Sequence, residues 1–210
     1  MAHELVEMMA KLGFPTFTLI GHDAEAASRT VWPWITRKVS KALLFLTSFR
    51  SWKPGTGRIR ASPRHIGRGF LFSQKEPLPE SYLLGAPEAV FHNPFGQGSF
   101  GKAVLREYVS TCRNPARVQG ICEEYHAAAT IDVEHDRADK EASKRIECPM
   151  LHLWAEGGPL DTFYRKEGGS LGIWRQWAPH AEGQAMKGGH LFPEENPEDA
   201  AAIVSRFLNA

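Results

Sequence analysis

Residues 17–26 read FTLIGHDAEA, and this stretch decides the fold. An apolar run that stops at Gly-x-Asp and continues into small residues is typical of a strand, a sharp turn and a helix. The turn places the carboxylate of Asp23 where the strand ends. Toward the other end of the chain, residues 187–195 read KGGHLFPEE and present His190 after two glycines. The two segments are the candidates for one functional site.

The strand, turn and helix around Asp23 match the nucleophile elbow of α/β-hydrolases, with an aspartate where esterases carry serine. His190 follows two glycines near the end of the chain, where that fold places its general base. A carboxylate nucleophile indicates chemistry at an alkyl carbon, because it attacks a carbon–halogen bond or an epoxide and leaves an alkyl ester. The sequence therefore predicts Asp23 as nucleophile and His190 as base.

Size and composition indicate one soluble globular domain. The chain has 210 residues, of which 42% are hydrophobic and 23% are charged, values that are ordinary for such a domain. No apolar stretch reaches the length of a membrane span, and the N-terminus carries acids where a signal peptide needs basic residues. The odd number of cysteines (Cys112, Cys122 and Cys148), without CxxC spacing, favours reduced, inert thiols. We therefore expect a cytoplasmic protein with no membrane partner.

The charge distribution is uneven although the net charge is +1. Residues 26–75 contain eleven lysines and arginines and no acidic residue. Such a run can mark a surface for nucleic acid. Here glycine and proline recur within it and no nucleic-acid-binding motif accompanies it. We interpret it as a solvated insert and expect no nucleic-acid partner.

The hydrophobic pattern predicts an α/β fold. Strands are expected at 17–20, 42–46, 150–154 and 184–186, helices at 5–12, 26–38 and 197–208, a mostly helical segment at 79–147, and loop or disorder at 48–75. Asn196 is expected to cap the last helix, with Pro197 at its first position. This order predicts a parallel sheet with a helical lid inserted between two strands. We divide the chain into a partial core with the elbow (1–47), a basic loop plus helical lid (48–147), and the remaining part of the core (148–210).

Several motifs, in order along the chain, resemble haloacetate (fluoroacetate) dehalogenases. They are QKEPLPE at 74–80, ICEEYHAAATIDVEHD at 121–136, PMLHLW at 149–154 and GGHLFPEE at 188–195. These enzymes are α/β-hydrolases related to epoxide hydrolases. The resemblance covers most of the chain, with residues 24–70 matching poorly. It implies an incomplete, C-terminal half of the α/β-hydrolase sheet with an inserted helical lid.

The resemblance also implies a mechanism without a cofactor, acting on a small-molecule substrate. Asp23 would attack the carbon that bears the halogen, and His190 would activate the water that hydrolyses the resulting ester. Tyr125 matches the lid tyrosine that helps to hold the departing halide. The backbone N–H of Ala24 would donate to the oxyanion in the hydrolytic step.

The chain departs from the family pattern around the nucleophile. The family places arginines directly after the nucleophile and one turn later, and these clamp the carboxylate of the substrate. Ala24 and Ala27 occupy those positions, and Arg29 is a weak substitute because it is off the matching position. Glu25 stands where the tight elbow needs a tiny residue, which predicts strain in the turn. Haloacetate itself is therefore doubtful as the substrate.

Two further departures concern the catalytic acid and the sheet. No carboxylate directly follows the strand at 42–46, where the family has its acid, so the candidates are Glu156 and Asp161 after the next strand. The half-sheet that carries the family's H-G-x-P loop is absent from this sequence. The strand at 17–20 would then be an open apolar edge, and we expect a homodimer or a partner to cover it.

Two other functions remain open at this point. An epoxide hydrolase uses the same Asp and His chemistry but needs lid tyrosines to protonate the epoxide oxygen, for which Tyr82 and Tyr125 are candidates. A catalytically inactive, truncated remnant would also account for the missing arginines, acid and oxyanion loop. The acidic and histidine side chains within 132–136 suggest a metal cluster, but without a second cluster or a cysteine partner we interpret them as a charged helix surface and expect no metal.

Overall fold

The computed structural model describes residues 2–22, 40–46, 71–88, 101–158, 160–161 and 164–210. Its strands are β1 (Phe17–His22), β2 (Ser40–Leu46), β3 (Met150–Ala155) and β4 (Glu182–Met186). Its helices are α1 (Ala2–Lys11), α2 (Leu78–Gly85), α3 (Lys102–Thr111), α4 (Pro115–Ala129), α5 (Ile131–Glu141), α6 (Gly169–Arg175), α7 (Phe192–Glu195) and α8 (Pro197–Leu208). The predicted strands and the predicted first and last helices are confirmed. The predicted helix at 26–38 lies outside the described residues.

The described strands form a parallel sheet in the order β1-β2-β3-β4. His22 pairs with Leu46, Leu46 with Leu153, and Ala155 with Met186. Because all these strands run in one direction, their carboxyl ends share one edge of the sheet, which is where open α/β sheets bind ligands. The segments that follow β1, β3 and β4 carry the candidate site residues, so the topology directs them to the same edge.

Apolar side chains cover both faces of the sheet. Successive residues of a strand point to opposite faces, and β3 shows this clearly. Met150 packs with Cys148 and Trp174 in one cluster. Leu151, Leu153 and Ala155 pack in another, which includes Ala200 and the partly buried Ile203, Val204 and Phe207 of α8. The sheet therefore lies between two layers, as in the α/β class that the sequence predicts.

The lid helices have a hydrophobic core of their own. Its buried members are Phe72, Leu83, Cys112, Val118 and Cys122. Asn114 begins α4, and its side-chain oxygen accepts hydrogen bonds from the N–H groups of Ala116 (3.0 Å) and Arg117 (3.3 Å), while Pro115 takes the first helical position. The helical prediction for 79–147 is confirmed for the described part of that segment.

The prediction of loop or disorder up to residue 75 is wrong at its end. Residues 71–72 are helical, and Phe72 is only 3% exposed. Its ring packs edge-on against the ring of Tyr125, with centroids 5.1 Å apart. Burial in the lid core thus orders a segment whose local composition favours a loop.

The start of α8 also differs from the prediction. Asn196 occupies the N-cap position, but its side chain makes no capping hydrogen bond to the helix backbone. Instead, the Asn196 amide nitrogen donates to a carboxylate oxygen of Asp199 at 2.9 Å. Pro197 follows at the first helical position, and Glu198 and Asp199 lie near the positive end of the helix, as predicted.

Apolar side chains remain exposed beside β1, which ends the described strand order. Met8 of α1, Leu12 and Phe14 after it, and Ile20 of β1 are 49%, 62%, 58% and 49% exposed, respectively. A homodimer or partner protein at this edge stays a prediction. Within the described residues no helix is long and apolar enough to cross a membrane. Cys112, Cys122 and Cys148 are buried, and within the described residues none of them is part of a disulfide.

Candidate active site

His22 connects the end of β1 to the loop that carries His190. The Nε2 atom of His22 lies 3.0 Å from the backbone carbonyl oxygen of His190. A carbonyl only accepts, so His22 donates its Nε2–H. The two imidazole rings are 5.2 Å apart between centroids and inclined by 40°. The residue that precedes the predicted nucleophile is therefore in contact with the predicted base. Asp23, Ala24 and Arg29 lie outside the described residues.

The turn that contains His190 is held by residues that follow it in the sequence. Gly188 has φ +117°, a left-handed conformation that favours glycine. A Cβ atom added there would lie 2.9 Å from Oε2 of Glu195 and 3.1 Å from Cβ of Phe192. The carboxylate of Glu195 accepts a hydrogen bond from the N–H of Gly189. The Phe192 N–H donates to the Gly189 carbonyl at 3.1 Å, and the Phe192 side chain is fully buried.

A second contact joins the lid to the same segment. The hydroxyl of Tyr108 in α3 donates to the carboxylate of Glu194 in α7. Burial, followed by the hydrogen bond and charge of Glu194, raises the pKa of Tyr108 to about 12. Tyr108 is therefore a neutral donor at physiological pH, and it links the lid to the core four residues after His190.

The two candidate acids lie beyond the carboxyl end of β3. Asp161 accepts hydrogen bonds from Nε1 of Trp154 (3.1 Å) and from the N–H of Gly157 (2.9 Å), one on each carboxylate oxygen. Glu156 is exposed. Within the described residues neither carboxylate is hydrogen-bonded to the ring of His190. Both are on the sheet edge that carries His190, and their role as catalytic acid stays a prediction.

The lid tyrosines share one aromatic neighbour. Tyr125 in α4 is partly buried, and its ring contacts Phe72 edge-on. Tyr82 in α2 is 41% exposed, with its ring centroid 6.4 Å from that of Phe72. The predicted substrate or halide contact through Tyr125 stays a prediction. In the described part of the chain no group of three or more His, Cys, Asp or Glu side chains is placed to hold a metal ion.

Comparison with known proteins decides the family. The crystal structure of a Nostoc sp PCC 7120 protein assigned to the α/β hydrolases matches with a TM-score of 0.86 and 33% identity, over 99% of this chain and 71% of that one. The chain belongs to the α/β-hydrolase family. This α/β hydrolase is also 27% identical to a fluoroacetate dehalogenase from Burkholderia sp, over the whole chain and 69% of the relative.

A third relative of this α/β hydrolase has a different reaction in its name. A Pseudomonas aeruginosa protein assigned as an epoxide hydrolase matches with a TM-score of 0.82 and 28% identity, over 99% of this chain and 70% of that one. No family model matches the chain. These three relatives share the fold and carry hydrolase names, and two of the names imply different bonds, a carbon–halogen bond and an epoxide.

Sequence reasoning missed the supporting roles of His22 and Glu195 in this α/β hydrolase. His22 stands in the elbow segment at 17–26, and Glu195 stands in the motif at 188–195. The sequence does not give the direction of the His22 side chain, because it reaches a residue 168 positions away. The available signal was a hydrogen-bond donor directly before the predicted nucleophile and an acidic residue at the end of the segment that carries the predicted base.

Proposed function

We propose that this chain is a hydrolase of the haloacetate dehalogenase type, with Asp23 as nucleophile and His190 as general base. The observation that carries the proposal is the hydrogen bond from His22 to the backbone of His190. It brings the residue before Asp23 to the base, although the two are separated by most of the chain. Similarity to a fluoroacetate dehalogenase over the full chain supports the reaction class.

The proposed reaction has two steps. A carboxylate oxygen of Asp23 forms a bond to the carbon that bears the halogen, and halide leaves with the bonding electron pair. His190 then takes a proton from water, and the resulting hydroxide attacks the ester carbonyl of Asp23. The backbone N–H of Ala24 donates to the oxyanion. The tetrahedral intermediate then breaks its bond to the alkyl oxygen, which takes up the hydroxyl proton and leaves as the alcohol, so that the Asp23 carboxylate is restored and His190 releases its proton to solvent.

The missing arginines affect the substrate rather than the chemistry. Ala24 and Ala27 cannot clamp a substrate carboxylate. Arg29 has the required guanidinium group but does not stand at either matching position. We therefore propose small halogenated compounds as the substrate class and expect haloacetate to bind weakly. Asp161 or Glu156 would orient His190 from the end of β3.

The contacts of the lid tyrosines favour an epoxide hydrolase as the second candidate. The rings of Tyr82 and Tyr125 both neighbour the ring of Phe72, with centroid separations of 6.4 and 5.1 Å. A tyrosine hydroxyl can act as the general acid that protonates an opening epoxide oxygen. The covalent ester on Asp23 would be common to both reactions.

Trapping the ester tests the proposal and separates the two reactions. The purified chain is incubated with chloroacetate or with styrene oxide, and its mass is measured intact and after proteolysis. His190→Gln should accumulate an adduct on Asp23, because loss of a general base slows the second step by about 10²–10⁴-fold. The reagent that adds identifies the bond that is attacked.

Two variants serve as controls. Asp23→Asn should gain no mass, which excludes alkylation elsewhere as the source of the signal. His180→Gln changes a histidine whose Nε2 donates to the carbonyl of Cys148 at 2.7 Å. Cys148 precedes β3, so this bond lies away from the carboxyl edge of the sheet. The His180→Gln variant should behave as the wild type does. A folded His190→Gln protein that gains no adduct with styrene oxide or with chloroacetate, supplied in large excess because weak binding is expected, would instead identify a catalytically inactive α/β hydrolase.

A further inference from the structure

We propose that His22 is a positioning residue that holds the His190 loop against the strand carrying the nucleophile. This inference rests on the proposed function and extends it to a residue with no assigned role. The contact is a side-chain donor on a backbone acceptor, His22 Nε2 to His190 oxygen at 3.0 Å. It therefore fixes the backbone of the base rather than its imidazole.

The position of His22 in the fold makes this contact a direct link. His22 is the last residue of β1 and pairs with Leu46 of β2 in the sheet. The strand therefore defines where the Cα of His22 lies. The hydrogen bond from this residue to the His190 backbone holds the His190 loop at the end of β1, the strand that precedes Asp23 in the sequence.

The opposite side of the His190 loop is held independently. Glu195 accepts from the Gly189 N–H, and Phe192 donates to the Gly189 carbonyl. These contacts come from the segment that follows His190, so they shape the turn locally. Within the described residues, the bond from His22 ties the turn to β1. Loss of the His22 hydrogen bond should leave the turn intact and weaken its attachment to β1.

The contact also determines the chemical form of His22. Donation to a carbonyl requires a proton on Nε2, as in the Nε2–H tautomer or the imidazolium form. Glutamine carries an amide N–H donor at a comparable distance from the backbone, whereas leucine fills similar space without a donor. His22→Gln and His22→Leu therefore separate the hydrogen bond from the packing of the side chain.

The first measurement is independent of activity. The full chain, with ¹³C at the histidine and cysteine carbonyls, is compared by NMR as wild type, His22→Leu and His22→Gln. Loss of the donor should shift the His190 carbonyl signal in the leucine variant, and the glutamine variant should restore it. His180→Leu removes a bond of the same kind and should shift Cys148 but leave His190 unchanged.

The second measurement separates the two chemical steps. A displaced base slows hydrolysis of the ester more than its formation, since only the second step uses His190. His22→Leu should therefore accumulate the Asp23 adduct during turnover and lower kcat by about 10- to 100-fold, the effect of a displacement near 1 Å. KM should change less than kcat, and His22→Gln should recover most of the rate.

The outcomes distinguish the two proposals. An unmoved His190 carbonyl signal in a folded His22→Leu protein would overturn the positioning role, as would leucine and glutamine variants with equal rates. Absence of any adduct in His190→Gln would overturn the proposed function alone, because the carbonyl signal still decides whether His22 holds the loop.

Discussion

Replacing Gly188 with alanine tests the turn that presents His190. The φ of +117° is unfavourable for any residue with a Cβ, and a residue held in such a region costs about 1–3 kcal/mol. The new methyl group would also lie 2.9 Å from Oε2 of Glu195 and 3.1 and 3.3 Å from Cβ and Cα of Phe192. Glu195 can rotate away only by releasing the Gly189 N–H. The buried Phe192 has no such freedom.

Gly120 provides a matched control with the opposite expected sign. It lies within α4, where an added Cβ meets nothing within 4 Å. Alanine is favoured over glycine in a helix interior by about 0.5–1 kcal/mol. The same chemical change should therefore destabilise the protein at residue 188 and stabilise it at residue 120.

Thermal unfolding followed by circular dichroism measures both effects. For a chain of 150–250 residues, a change of 1 kcal/mol shifts Tm by about 2–4 °C. Gly188→Ala should lower Tm by about 2–12 °C, and Gly120→Ala should raise it by about 1–4 °C. A Gly188→Ala protein at least as stable as the wild type would refute the argument that this turn requires glycine and the Glu195 anchor.

Three further predictions concern the contacts around the site and the lid. Burial, followed by the hydrogen bond and charge of Glu194, raises the pKa of Tyr108 to about 12. Protonated Tyr108 should therefore stabilise the fold fully below about pH 10 and lose this effect as the pH rises to about 12. Absorbance titration of Tyr108→Phe should lack the highest tyrosine step. Glu195→Ala should lower the urea-derived free energy of unfolding by about 1 kcal/mol because the Gly189 N–H loses its acceptor, whereas equal losses in Glu195→Ala and Glu195→Gln would contradict that reason. Burial and the nearby Glu80 raise the pKa of Cys122 to about 12, so iodoacetamide at about pH 8 should label it only after unfolding, and rapid labelling of native protein would oppose this.

The sheet was predictable because its signals are local. The strands are short apolar runs such as 42–46 and 150–154, and the turn after residues 17–20 has a specific residue pattern. Their parallel arrangement agrees with the long segments that connect them in the sequence, since parallel neighbours need a crossover of about a dozen residues or more. The weak sequence 182–186, EGQAM, is a strand mainly because its backbone pairs with β3, as between Ala155 and Met186. Tertiary pairing of this kind overrides local propensity.

The lid and the site were predictable only in outline. Phe72 follows a region rich in glycine and proline, and only its burial against Tyr125 orders it. His190 and its glycines form a motif, so the sequence offers one candidate for the base. It offers two for the acid, because Glu156 and Asp161 both follow β3. Only the structure shows that Asp161 already bonds the Trp154 indole and the Gly157 amide.

The His22–His190 hydrogen bond has a consequence for how this chain is made. It joins residues 168 positions apart, so it closes only after the chain between them has been synthesised. Until β3 and α6 follow, Val6, Phe17 and Leu19 lack the cluster of Met150 and Trp174 against which they pack. Contacts of such long range form slowly and leave apolar surface available for aggregation meanwhile. A fold that brings distant segments to one sheet edge thus leaves the apolar groups around β1 uncovered for longer during synthesis than those of the later strands.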